Sequence, residues 1–192
     1  MPKLYIISGC NGAGKTTASY TVLPEMLNCR EFVNADEIAR GLSPFNPENI
    51  AIEAGRIMLN RIRELMDNGV DFAFETTLAT RSYTSFVRDA QAKGYQVALL
   101  YFWLNSPDLA IKRVAERVAA GGHNIDEETI RRRYLKGIYN LFNLYMDIVD
   151  YWFLVDNSES QFEIIAEGGK NETKKIVNML LYNTIERWTR KK

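Results

Sequence analysis

The residues Gly9-Cys10-Asn11-Gly12-Ala13-Gly14-Lys15-Thr16 constrain this chain more than any other stretch of it. An apolar run over 3–8 reads as a buried strand leading into them, and a helical segment from Lys15 to about Leu27 leads out. Strand, glycine turn and helix N-terminus, with Gly-x4-Gly-Lys-Thr between them, are the sequence and the context of a phosphate-binding P-loop. The glycines let backbone N–H groups turn inward toward phosphate oxygens, and the helix N-terminus adds partial positive charge. In such a loop Lys15 reaches the β and γ phosphates and the Thr16 hydroxyl ligates Mg²⁺. The expected nucleotide-binding set is therefore Gly9, Cys10, Asn11, Gly12, Ala13, Gly14, Lys15, Thr16 and Thr17.

Beyond the loop, strands alternate with helices. Strands are expected at Glu31–Asn34, Asp71–Glu75, Tyr95–Leu104 and Tyr151–Val155, and a further one at Gln161–Ala166 on an edge. Helices are expected from Pro47 to about Asn68, from Arg81 to Lys93, from Ser106-Pro107 to about Ala119, from Asp126 to about Met146 and from Thr173 to Arg190. This order predicts an α/β, P-loop NTPase fold of three layers, with a five-stranded mostly parallel sheet, one extra edge strand and a helical lid. A length of 192 residues suits one domain over 1–192, with the lid at about 107–146. Ligands of such sheets bind at the carboxyl ends of the strands.

Charge and cysteine content remove other classes. Lys+Arg and Asp+Glu both number 24, so the net charge is zero and nothing global points to nucleic acid or a membrane. The apolar run over 97–104 is far short of the ~20 residues a bilayer span needs. Cys10 and Cys29 build no disulfide framework, which fits a reducing compartment, the cytoplasm.

Three P-loop classes make different demands on the rest of the chain. A GTPase carries an Asn-Lys-x-Asp guanine motif, and an ABC-type ATPase carries a Leu-Ser-Gly-Gly-Gln-like signature; this sequence has neither. A small-molecule kinase needs a carboxylate after strand 2 and an arginine-rich lid, and both are present. Asp36 follows the second strand and, if strands 1 and 2 flank the cleft, faces the γ-phosphate, where it can take a proton from an attacking hydroxyl. Asn-Ala-Asp-Glu at 34–37 also reads as a helix start, which is compatible. Glu75 ends the third strand and can hold a substrate hydroxyl or a Mg²⁺-bound water; Thr77 and Arg81 are close enough in sequence to share its pocket.

Seven basic residues lie between 112 and 136: Lys112, Arg113, Arg117, Arg131, Arg132, Arg133 and Lys136. Arg113 and Arg117 share a helix face at i,i+4. Gly121-Gly122-His123 breaks the segment into two helices that can close over phosphates and keep water out. Arg117 and Arg133 are the expected catalytic arginines beside Lys15 and Asp36, with Arg113, Arg132 and His123 as further phosphate contacts. The competing function is an ATPase whose hydrolysis drives a conformational or partner-binding event and which needs no acceptor pocket.

Taken in order, Gly9–Thr17, Asn34-Ala35-Asp36, Phe74-Glu75-Thr76-Thr77-Leu78, Arg117 through Gly121-Gly122-His123, Arg132-Arg133-Tyr134 and Asp156-Asn157-Ser158 resemble the zeta toxin family of P-loop kinases, in a branch often labelled as predicted ABC-type ATPases. The resemblance implies phosphoryl transfer from ATP to a sugar hydroxyl, with Mg²⁺, and a UDP-N-acetylated amino sugar as acceptor. It implies Asp36 as base, Lys15 and Thr16 as the nucleotide pair, Glu75 and Thr77 as substrate contacts, and a protein antitoxin as partner. The chain departs from the family at Ala79, where the toxins carry an arginine; Arg81 lies two residues later.

Overall fold

The structure, a computed structural model of the chain, describes all residues except 123, 160, 171, 191 and 192, and all but the side chains of 172, 173 and 190. β1 (Lys3–Gly9) is the central strand of the parallel part of a seven-stranded sheet. It pairs in parallel with β3 (Phe72–Thr76) on one side and β4 (Gln96–Trp103) on the other. β2 (Glu31–Val33) lies outside β3, and β5 (Tyr151–Asp156) outside β4, all parallel. The order is β2-β3-β1-β4-β5-β6-β7, so the five-stranded parallel core is as expected. The central strands are nearly continuous apolar runs, Phe72-Ala73-Phe74 for example being fully buried, because helices cover both faces.

Two antiparallel strands extend the sheet where the sequence suggested one. β6 (Glu163–Gly169) pairs with β5, and β7 (Glu172–Ile176) pairs with β6 and forms the edge. The closing helix α7 (Met179–Arg190) consequently starts later than Thr173. Its start is set by Asn178, whose side chain accepts from the Leu181 N–H at 3.1 Å. The β7 sequence Glu-Thr-Lys-Lys-Ile has little apolar character of its own, as suits an edge strand whose charges discourage further pairing.

The helix after the glycine loop also ends early. α1 (Lys15–Thr21) gives way to a π-helical turn, Val22–Met26, in which the Leu27 N–H bonds the Val22 carbonyl at 3.1 Å. Pro24 has no N–H to continue the ordinary ladder. α2 (Ala35–Leu42) follows β2, and a 3₁₀ turn, Pro47–Ile50, opens α3 (Ala51–Asp67). α4 (Tyr83–Ala92) joins β3 to β4. α5 (Pro107–Ala119) and α6 (Glu127–Asn140) follow β4 and begin at Ser106 and Asp126, the starts expected from the sequence, whose side chains cap them. α5 ends with the Gly121 N–H on the Val118 carbonyl and the Gly122 N–H on the Arg117 carbonyl, the bonding of a Schellman cap. α6 runs into a second π-helical turn, Leu141–Tyr145. Among the described residues no helix is long and apolar enough to cross a membrane.

Candidate functional site

A cleft of about 790 Å³ opens at the carboxyl ends of β1, β2 and β3, between the glycine loop, the start of α2, the β3–α4 loop and the pair α5 and α6. Asn11, Gly12, Gly14, Lys15, Thr16 and Thr17 line it. Gly9, Cys10 and Ala13 lie behind that surface, where the loop packs on the core. Gly12 and Gly14 have φ of 76° and 78°, in the region glycine adopts without strain. Each also faces a close neighbour. A Cβ on Gly12 would stand 2.6 Å from the Ala110 carbonyl oxygen, and one on Gly14 2.6 Å from the Asn157 amide nitrogen.

Lys15 is 6% exposed. Its ammonium donates to the Cys10 carbonyl at 2.9 Å and stands 3.4 Å from Glu75 Oε1. The other Glu75 oxygen accepts from the Thr16 hydroxyl at 2.7 Å and from Asn34 Nδ2 at 2.9 Å. β3 therefore brings its carboxylate directly against the loop, since Ile7 of β1 is in register with Glu75. β1 and β2 stand on either side of the cleft, with β3, which the sequence did not place, between them. Asp36 nonetheless reaches the cleft from the first turn of α2, which Asn34 caps by accepting from the Asp36 N–H at 2.9 Å. Asp36 is exposed, and its carboxylate accepts no hydrogen bond from the described residues.

The basic segment divides. Arg113, Arg117, Arg132 and Arg133 all line the cleft. Arg113 is committed to the β5–β6 loop, donating to the Asn157 carbonyl at 2.7 Å and the Ser158 carbonyl at 2.8 Å. Arg133 donates to Asn11 Oδ1 at 3.2 Å. Burial pulls the Arg133 guanidinium below its ordinary pKa, and the nearby Asp36 charge opposes that. Arg132 is exposed and touches Thr129. Arg131 leaves the cleft for an ion pair with Asp108, at 2.7 Å. The three consecutive arginines thus point different ways, as about 100° per residue on a helix requires.

Thr77 lines the cleft beside Glu75, as expected from their spacing. Arg81 does not: it is exposed at the start of the loop leading to α4, outside the cleft lining. His123 lies outside the described residues. The Cys10 thiol is 2% exposed, and burial raises its pKa to about 11, so it is protonated at neutral pH. Among the described residues no group of three or more His, Cys, Asp or Glu side chains gathers around one point. The oxygen donors at the loop are the Thr16 hydroxyl and the Glu75 carboxylate, a set that suits a hydrated hard cation held largely by phosphate oxygens.

Sequence reasoning assigned no role to four residues that shape this site. Asn34 bridges Glu75 and the α2 cap. Asn157 donates to the Ala13 carbonyl at 2.8 Å and so presses the β5–β6 loop on the glycine loop. Tyr83 and Lys136 line the wall opposite the loop. Asn34 and Asn157 had a signal, since each sits one residue past a strand and within two residues of an aspartate. Tyr83 had none and Lys136 only its place in the basic segment, because only the fold brings the two to one cleft.

A glycine loop at the end of the central strand, a carboxylate on the neighbouring strand and arginines from a helical pair define a P-loop kinase. The chain belongs to the zeta toxin family, whose family model matches residues 1–144. An uncharacterised protein from Haemophilus influenzae is 29% identical over 133 residues, 69% of this chain and 92% of that protein. The fold is that of AvrRxo1-ORF1:AvrRxo1-ORF2, crystallised with sulphate ions, at a TM-score of 0.77 and 15% identity over 96% of this chain. This chain spans 63% of the length of that one. A structure from the PezAT chromosomal toxin–antitoxin system of Streptococcus pneumoniae aligns at a TM-score of 0.66 and 16% identity, covering 99% of this chain and 86% of its own.

Proposed function

We propose that this protein transfers the γ-phosphoryl group of ATP to a hydroxyl of a small molecule, a UDP-N-acetylated amino sugar being the acceptor that the family resemblance implies. The observation that carries the reading is the exposed Asp36 carboxylate on the same cleft wall as the Lys15–Glu75–Thr16 cluster. Membership of the zeta toxin family supports it, and AvrRxo1-ORF1:-ORF2, of the same fold, has been crystallised with ATP. The PezAT system supports a protein antitoxin as partner.

In this reading the glycine loop and the α1 N-terminus hold the phosphates, and Lys15 exchanges its bond to the Cys10 carbonyl for the β and γ oxygens. The Thr16 hydroxyl and Glu75 would hold Mg²⁺, which would supply charge neutralisation for the transfer. The acceptor oxygen attacks the γ phosphorus, the bond to the β-phosphate oxygen breaks, ADP leaves and Asp36 takes the hydroxyl proton. Arg117 and Arg133 spread their charge over the transferring oxygens, and Thr77 holds the acceptor beside them. The segment 107–146 acts as the lid of one domain, excluding water from the transfer. The cytoplasm supplies ATP and keeps both thiols reduced.

The test is incubation with γ-labelled ATP and UDP-N-acetylglucosamine, and separately with a metabolite extract. Label in an organic product is expected. Label released only as inorganic phosphate under both conditions replaces the kinase with the ATPase reading. Asp36→Asn is expected to lower transfer by about 10²–10⁴-fold while ATP binding persists; full activity in that variant removes Asp36 as the base.

A further inference from the structure

The wall facing the glycine loop is held in an unusual backbone conformation by one helix. Leu78, fully buried, has a φ of +58°. A leucine keeps that left-handed conformation only where its surroundings over-determine it. Those surroundings are α6 and the turn that continues it. Asn140, 4% exposed, donates through Nδ2 to the Leu78 carbonyl at 2.8 Å. The Tyr145 hydroxyl donates to the Thr80 carbonyl at 2.9 Å. Gly137 lies against the Thr77 carbonyl, so closely that a Cβ there would stand 2.7 Å from its oxygen. Three carbonyls of the segment 77–80 are thus met by three residues one to two helical turns apart. The same helix touches the glycine loop from its middle, through Arg133 and Asn11.

Asn140 is not on the cleft surface, whereas Thr77, Ala79 and Thr80 are. A buried amide must find its partners, and its neighbours alone would satisfy that need with any geometry; here its donor fixes the carbonyl of the single strained residue between two threonines that face the cleft. We infer that Asn140 is a positioning residue: its hydrogen bond to the Leu78 carbonyl locks the left-handed turn that sets Thr77 and Thr80 on the acceptor wall, and so determines acceptor affinity without touching the acceptor. The inference rests on the kinase reading above, in which this wall receives the acceptor.

Two variants and two readouts test it. Asn140→Leu keeps the volume and removes the donor; Asn140→Asp keeps the shape and donates only when protonated. Amide hydrogen exchange over 77–80 is expected to accelerate about tenfold in both, with exchange in the glycine loop unchanged. With UDP-N-acetylglucosamine as the acceptor probe, acceptor KM is expected to rise about tenfold while ATP KM stays within about twofold. In Asn140→Asp both effects reverse on acidification, as the carboxyl regains its proton and donates again. That reversal is also the reading to use if Asn140→Leu fails to fold. Unchanged exchange over 77–80, or an equal rise in both KM values, overturns the proposal. Faster exchange in the variants, with no transfer by the parent protein to the probe or to any component of a metabolite extract, overturns the acceptor role and the kinase reading together, and leaves the hold of α6 on the loop standing.

Discussion

Lys15 and Asn140 each donate a side-chain hydrogen bond to a backbone carbonyl that shapes the cleft, but the first reaches back five residues and the second across 62. The glycine loop on the Lys15 side is nearly self-contained. Its turns are made by its own glycines, and its Cys10 carbonyl is met from within by the Ala13 N–H and by Lys15, while the Ala13 carbonyl takes its partner, Asn157, from 144 residues away. The opposite wall, 76–83, has no comparable local code. Its internal bonds, Leu78 N–H to the Thr76 hydroxyl at 3.1 Å and Ser82 N–H to the Thr80 hydroxyl at 3.2 Å among them, accompany two from the α6 region that reach across 62 and 65 residues. A phosphate group is the same in every nucleotide, so a short contiguous motif suffices to hold it. The wall that the proposed function gives to the acceptor is assembled from separate elements, which lets it change while the loop stays fixed.

The largest expected effect attacks the local side. Lys15→Ala should lower the transfer rate by about a thousandfold and weaken ATP binding, since it removes the cation at the β and γ oxygens. Hydrogen exchange over 77–80 should be untouched by that change. If exchange there rises as well, the two walls are coupled more tightly than their contacts indicate.

Gly137→Ala attacks the distant side. The new Cβ would meet the Thr77 carbonyl oxygen at 2.7 Å and the Tyr101 hydroxyl at 2.8 Å. Such overpacking is expected to cost about 1–3 kcal/mol of stability, measured by urea denaturation. Acceptor use should fall and ATP affinity should hold; a variant as stable as the parent would show that the wall yields freely.

A third test compares the two buried thiols. Burial raises both Cys10 and Cys29 from an ordinary 9.0 to about 11. Between those values the unfolded chain releases protons that the folded chain keeps, so stability falls as pH rises through 9 toward 11 and is insensitive to these groups below 9. Cys10→Ala should flatten part of that slope. Denaturation curves at several alkaline pH values check it, and a slope unchanged in the variant would mean that Cys10 is more hydrated than its burial under the glycine loop implies.

Arg81→Ala has the smallest expected effect. The side chain is exposed and outside the cleft lining, so transfer kinetics should change by less than about twofold. A large rise in acceptor KM would extend the acceptor wall beyond Thr80 and restore the role its sequence position suggested.

Arg81 also marks where sequence reading stops. The parallel core, the glycine loop, the Ser106 and Asp126 caps and the cleft positions of Asp36, Glu75 and Thr77 were legible, because each follows from a pattern within a few residues. Strand β7 was not, because its polar sequence becomes a strand only by pairing with β6. The neighbour of β1 was not either: nothing local says that β3 inserts between β1 and β2, yet that insertion is what sets Glu75 against Thr16.

By itself the sequence determined that a phosphate cradle leaves the central strand and that a carboxylate and arginines accompany it, since glycine turns, helix caps and apolar runs act over a single turn or strand. The tertiary structure alone decided which arginine is spent on the β5–β6 loop, which points away to Asp108, and how α6 bends the segment 77–80 into shape. A long polar side chain takes the partner that packing brings within about 3 Å of it, and that partner is fixed only when distant elements meet.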